Sequence, residues 1–203
     1  MEKIAIIGAG SWGTTLAVLL GEKGFDVKLW ARREELANEI ESKRENVQYL
    51  HGIKIPKNVI ADHSLKDVIS NSEIIITTIP SEFLRNTLKQ IKPYFKNQIV
   101  VSATKGLEHH SCKRMSQVIE DELGNARIAA LSGPNHAEEV SMKMPTASVI
   151  ASKDKKACKI VAEVLATPYF KLYQLNDVIG VEICGALKNI SAISTGVVDG
   201  FGF

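Results

Sequence analysis

Glycines, arginines and lysines at telling spacings carry what chemistry this chain can do. Gly8, Gly10 and Gly13 form G-x-G-x-x-G directly after the run Lys3-Ile4-Ala5-Ile6-Ile7. A helical pattern follows, with Leu16, Ala17, Leu19 and Leu20, and stops at Gly24. Strand, glycine turn and helix in that order make the motif a diphosphate cradle. The first glycine allows the tight turn, the second lets a diphosphate approach the backbone, and the third lets the helix pack close to the strand. The free N–H groups and the positive end of the helix dipole then face the anion.

A second alternating stretch, Phe25 to Trp30, is followed by Ala31-Arg32-Arg33. In a dinucleotide-binding unit an Asp or Glu ~20 residues beyond the glycines accepts hydrogen bonds from the adenosine ribose. Arg32 and Arg33 occupy that place, and two guanidinium groups suit a 2′-phosphate or stack on adenine; the alternative is a solvated charge pair that opens the next helix. The expected cofactor is therefore NADP or NAD, with a lean toward NADP. Lys105 follows the run Gln98 to Ala103 by two residues, beside Gly106, where a strand's carboxyl end can deliver an ammonium to a ligand crevice. Lys188 lies in the apolar stretch Asn176 to Gly200 with Glu182, Asn189 and Asp199. A buried, unpaired lysine is costly when charged, so its pKa falls. Glu182 is two turns away, a poor partner, and Lys188 is thus the acid/base candidate; the alternative is a tip that snorkels to water.

The elements that position these residues alternate. Helices are expected at Glu34 to Lys43, after Ser64, after Ser81, at Arg114 to Leu123, after Asn135 and after Asp154, with Ser64, Ser81, Asn135 and Asp154 as caps. Strands are expected at Val59 to Ala61, Glu73 to Ile79, Gln98 to Ala103, Arg127 to Leu131, Thr146 to Ala151 and Tyr169 to Tyr173, with Asn46 to Pro56 a turn-rich connection. About eight strands alternating with helices predict an α/β fold, a Rossmann-like doubly wound and mainly parallel sheet. Residues 1–176 form the dinucleotide-binding domain. Residues 177–203, capped by Asn176 or Asp177 and apolar almost all round, read as a helix buried on every side, the first of a helical domain.

The 203 residues are 45% hydrophobic and 24% charged, with a net charge of +2. That balance is too mild for nucleic acid, and no basic stripe alternates with aromatics. Cys112, Cys158 and Cys184 are widely spaced without C-x-x-C, so neither a disulfide framework nor a metal site is expected. The start, with Glu2 and Lys3, is a strand and not a signal peptide. No uncharged apolar stretch reaches the ~18 residues of a membrane span. A cytoplasmic protein without membrane insertion is expected.

Taken together, several motifs resemble one family, the NAD(P)-dependent glycerol-3-phosphate dehydrogenases of bacterial type. They include Gly8 to Thr14, Leu29 to Arg32, Asn46 with Tyr49-Leu50, Pro80-Ser81 with Arg85, Thr104 to Glu108 and Leu131 to Pro134. Further along stand Ala137 to Val140, Pro145 to Ala147, Asp177 to Glu182 and Gly185 to Asn189. The resemblance implies hydride transfer between NAD(P)H and dihydroxyacetone phosphate, giving sn-glycerol 3-phosphate for glycerophospholipid synthesis. It implies that Ser11, Trp12, Arg32, Arg33 and Ala137 touch the dinucleotide and that Lys105 bridges cofactor and substrate. Gly133 and Asn135 would contact the phosphorylated substrate, and Lys188 would be the proton acceptor or donor in a homodimeric enzyme. The family usually has Ser at the place of Asn135, an apolar residue at His136 and Pro-Gly at His51-Gly52. It continues beyond the Asp199-Gly200 region into a helical domain whose arginine holds the substrate phosphate. The alternatives are a nucleotide-binding module without turnover, and a reductase of another hydroxy acid or ketone.

Overall fold

The computed structural model describes residues 3–202; Glu2 and Phe203 lie outside them. The chain runs β1 (Lys3–Ile7), α1 (Ser11–Glu22), β2 (Asp26–Trp30), α2 (Glu34–Lys43), β3 (Glu45–Asn46), β4 (Leu50–Lys54), β5 (Val59–Asp62) and α3 (Leu65–Ile69). It continues with β6 (Ile74–Thr77), α4 (Ser81–Ile91), β7 (Ile99–Ser102), α5 (Met115–Leu123), β8 (Arg127–Ser132) and α6 (Ala137–Ser141). The last elements are β9 (Thr146–Ala151), α7 (Lys155–Leu165), β10 (Phe170–Leu175) and α8 (Val178–Gly200).

The main sheet has 8 strands in the order β10-β9-β8-β7-β6-β1-β2-β5. Neighbours are parallel except β8 and β9, which pair antiparallel. The chain builds outward from β1 to β2 and β5, then crosses back to β6 on the other side of β1. That reversal makes the crevice at the carboxyl ends of β1 and β6 the place where an open α/β sheet holds ligands. The segment expected as a turn-rich connection contains the β3–β4 hairpin, a separate two-stranded antiparallel sheet.

Continuous apolar runs suit strands covered on both faces. In β1, Ile4 and Ile6 join the larger core with α1, α2 and α7, while Ala5 and Ile7 join the opposite layer with α3, α4 and α5. Local capping chemistry is legible at several starts. Ser64 Oγ accepts from Asp67 N, Asp154 Oδ1 from Lys156 N and Ala157 N, and Asp177 Oδ1 from Gly180 N. Two expected caps are corrected. Pro80, not Ser81, is the N-cap of α4, and His136, not Asn135, is that of α6. Pro80 is extended (φ −57°, ψ 145°), so Ser81 already carries helical backbone.

The helix α8 departs most from expectation. It is not buried on every side: only Val178 and Val181 are buried, packed against Ala130 and Ala151 of β8 and β9. Ile190, Ile193 and Phe201 are exposed, at 64%, 68% and 76%. Among the described residues α8 alone is long and apolar enough, by length and composition, to cross a membrane. It carries Glu182, Lys188 and Asp199, and its first turns seat on the sheet.

Candidate functional site

The site is built at the carboxyl ends of β1, β6, β7 and β8. Gly8 takes φ +124°, a region that side chains rarely adopt. A Cβ on Gly13 would stand 1.9 Å from the Gly8 carbonyl oxygen, so α1 can approach β1 only with glycine there. A Cβ on Gly10 would meet nothing within 4 Å. Gly10 faces open crevice, the space a diphosphate needs. The N-cap of α1 is Gly10 itself, with no side-chain cap and no acid in the first turn. The N–H groups of Ser11, Trp12 and Gly13 are bonded to no protein group among the described residues. Three unfilled donors at the positive end of a helix fit an anion.

The turn is braced by two residues that sequence reasoning gave no role. Asn46, fully buried, donates from Nδ2 to Ala9 O (2.9 Å) and Thr14 Oγ1 (2.8 Å). Thr78 Oγ1 donates to Gly8 O at 3.0 Å. Asn46 stands in a motif shared with the family, and that was its only signal; its partners lie 32 and 37 residues away.

From Gly8 and Gly10 a crevice of about 480 Å³ runs past Arg32 and Arg33 to Pro80 and Phe83. Arg32 lies over the Phe83 ring, 5.7 Å from its centroid, and Arg33 Nη2 donates to Gln48 Oε1. Both guanidinium groups thus border the pocket that the glycine turn opens. A second pocket, about 430 Å³, brings together Ser11, Trp12, Lys105, Asn135 and Ala137. Trp12 is held edge-on by buried Phe170, and Ala137 O accepts from Thr15 Oγ1 at 3.1 Å. Gly133 and Lys188 line a third pocket, about 390 Å³, with Cys184 and Gly185. His136 is exposed at the start of α6.

Lys105 joins the second and third pockets. Its Nζ donates to Gly133 O at 3.2 Å. Although much of the residue is exposed, burial of the ammonium and then the nearby Lys188 charge push its pKa down to about 8. Lys188 is half-buried, not the buried residue expected from its apolar neighbours. Nor does Glu182 serve it, because Glu182 is bonded to Arg114 and Ser116. The Asn135 amide is taken up by β9: Nδ2 donates to Ala147 O (2.9 Å) and Oδ1 accepts from Ser148 Oγ. Any substrate contact by that side chain competes with these bonds.

The loop carrying Lys105 is clamped from α4. Arg85 donates from Nε and Nη2 to both oxygens of Glu108, at 2.6 and 2.9 Å, and also reaches Asp121 and Glu122 on α5. Arg85, then Ser111, hold the Glu108 carboxyl down to about 2. No group of three or more His, Cys, Asp or Glu side chains suited to a metal occurs among the described residues.

The family model described as NAD-dependent glycerol-3-phosphate dehydrogenase N-terminus matches residues 3–158, and the C-terminus model of that family matches 177–203. The chain belongs to the NAD-dependent glycerol-3-phosphate dehydrogenase family. It is 46% identical over 205 residues to the glycerol-3-phosphate dehydrogenase [NAD(P)+] of Chlorobium phaeobacteroides (strain DSM 266), covering 99% of this chain and 62% of that protein. The crystal structure of glycerol-3-phosphate dehydrogenase from Coxiella burnetii superimposes with TM-score 0.92 at 36% identity, over 98% of this chain and 61% of the other. The yeast Saccharomyces cerevisiae enzyme gives 0.88 at 34% identity, over 99% and 64%. The chain thus spans about 60% of the length of the relatives it matches.

The bracing of the glycine turn makes a direct prediction. Asn46→Ala leaves Ala9 O and Thr14 Oγ1 without their donor, at a cost of about 1–3 kcal/mol. Urea denaturation measures it, and an unchanged midpoint would show that the brace is dispensable.

Proposed function

We propose that this protein interconverts dihydroxyacetone phosphate and sn-glycerol 3-phosphate with NADH or NADPH. Residues 1–176 bind the dinucleotide, and residues 177–203 open a helical substrate domain. Family membership supports the reaction. The observation that supports the site is that unfilled helix N–H groups, two arginines and two lysines line three pockets at the carboxyl ends of the central strands, with Lys105 donating to Gly133 of the pocket that Lys188 lines. The exposed apolar side of α8 supports a helical partner layer, whether from the same protein or from a second copy in a homodimer. The protein is soluble and cytoplasmic in this reading, with neither nucleic acid nor membrane as partner.

The free N–H groups of Ser11, Trp12 and Gly13 would hold the diphosphate, while Gly8, whose own N–H donates to Trp30 O at 3.1 Å, and Gly10 shape the turn that lets it approach. Arg32 and Arg33 would hold the adenosine end, and Ala137, which shares a pocket with Ser11 and Trp12, would also touch the dinucleotide. The bound nicotinamide supplies or accepts the hydride. Negative charge that develops on the substrate oxygen is met by Lys188, whose Nζ gives up the proton in reduction and takes it back in oxidation. Lys105 stays largely cationic at neutral pH, because its pKa is about 8, and it draws the phosphorylated substrate to the Gly133 turn. Asn135 completes that turn.

Lys188→Ala lowers kcat by about 10²–10⁴-fold, the range of general acid–base catalysis, and leaves the dinucleotide Kd unchanged. NADPH oxidation with dihydroxyacetone phosphate, beside a fluorescence titration of NADPH, checks both. Near-normal turnover would overturn the role.

The Lys105 pKa makes a second prediction. In the free protein the ammonium loses its proton near pH 8, and an anionic ligand beside it raises that value toward the ordinary 10.5. Between the two values, binding takes up a proton, and affinity falls as pH rises. Calorimetry at pH 9 in buffers of different ionisation enthalpy reads the uptake. Identical binding heats in all buffers would contradict it.

A further inference from the structure

Glu182 is a carboxylate on an apolar helix, with a side chain only 7% exposed. It reaches across to a segment 66 residues earlier in the chain, the start of α5. Ser116 N donates to Oε1 at 2.7 Å, and Ser116 Oγ and Arg114 Nη1 each donate to Oε2 at 2.6 Å. A buried carboxylate satisfied by three donors at a helix N-terminus is held firmly and in one orientation.

Little else fixes α8. Its buried apolar contacts end at Val181, and from Asn189 onward every described residue is exposed. A further close contact is Gly185, where a Cβ would stand 2.4 Å from Ser132 Oγ. Lys188 follows Glu182 by six residues, about 9 Å along the axis at the usual rise. The apolar seat at Val178 and Val181 sets the depth of the helix but tolerates rotation, because dispersion contacts are not directional. The Glu182 hydrogen bonds are directional and fix the rotation.

The partners of Glu182 also belong to the other lysine. Arg114 closes the loop that begins at Lys105: Leu107 bridges Arg114, and Glu108 N donates to Lys113 O at 2.9 Å. One loop therefore holds Lys105 at its start and receives α8 at its end.

We propose that Glu182 is the positioning residue that indexes Lys188 against Lys105, by fixing the rotation of α8 on the Arg114–Ser116 corner. The inference rests on the paired-lysine site described above. Glu182 touches no reacting atom in this account; it acts through Lys188.

Burial is the larger cause of the depressed Lys105 pKa and the Lys188 charge the second, so the part that Lys188→Ala removes reports how close Lys188 stands, independently of turnover. The surroundings of Lys105 also include His136 and Glu138 at the start of α6, and these stay the same in every variant below. The NMR shift of the Lys105 Cε carbon is followed against pH in the wild type, Glu182→Gln, Lys188→Ala and the double variant. Lys188→Ala raises the Lys105 pKa toward 10.5. Glu182→Gln raises it in the same direction, and the double variant goes no further than Lys188→Ala alone. If Glu182→Gln leaves Lys105 unmoved while Lys188→Ala shifts it, or if the two effects add, the indexing role is overturned. If Lys188→Ala itself leaves Lys105 unmoved, the paired-lysine site fails and the inference falls with it. Should Glu182→Gln not fold, Ser116→Ala removes one of the three donors and keeps the Arg114 ion pair. It shifts Lys105 in the same direction by less, and no shift there counts against the inference.

Discussion

The contact between Gly13 and the Gly8 carbonyl is the constraint on which the rest of the structure depends. No side chain fits between α1 and β1 at that point. The close approach brings the first turn of α1 directly over the carboxyl end of β1, so three backbone N–H groups point into the crevice rather than into the sheet. Asn46 and Thr78 then hold the turn from either side, each by bonding carbonyl oxygens that the turn leaves free. The anion site is thus made of backbone and needs no charged side chain of its own. Arg32 and Arg33 line the same crevice.

The second feature of the crevice is unfavourable by itself. Burial of the Lys105 ammonium depresses its pKa, and the nearby Lys188 charge adds to the cost. Like charges held together repel, and an anion bound between them relieves that repulsion. Two braces keep that arrangement from relaxing, the Arg85–Glu108 clamp on one side of the Lys105 loop and the Arg114–Glu182 corner on the other. Charge and rigidity work together here, because a loose loop would let the ammonium groups part and become fully hydrated.

Much of this was legible in the sequence wherever the determinant was local. The glycine spacing, the apolar strands and the caps at Ser64, Asp154 and Asp177 all depend on residues within a few positions of one another. Ser81 and Asn135 look like caps by the same rule, yet Pro80 and His136 occupy those positions, and Asn135 is recruited by β9 instead. The reading of α8 failed for a different reason. Apolarity shows which surface favours burial but not what covers it, and Lys188 inherited a burial that its neighbours do not have. Lys105 was legible as a lysine at a strand's carboxyl end, but its depressed pKa was not, because burial of the ammonium and the nearby Lys188 charge arise only in the fold. Asn46 and Glu182 were unreadable because their partners are 32 to 68 residues away in the chain. The family resemblance marked both residues without saying what they do.

The central claim is that the unfilled amides of the glycine turn receive the dinucleotide. Backbone amide NMR during titration with NADPH tests it most directly. The largest shifts are expected at the N–H groups of Ser11, Trp12 and Gly13, followed by residues around Arg32. Shifts that leave these amides unmoved and gather instead at the opposite sheet edge, around the cavity of Lys3, Lys57 and Asn71, would contradict it.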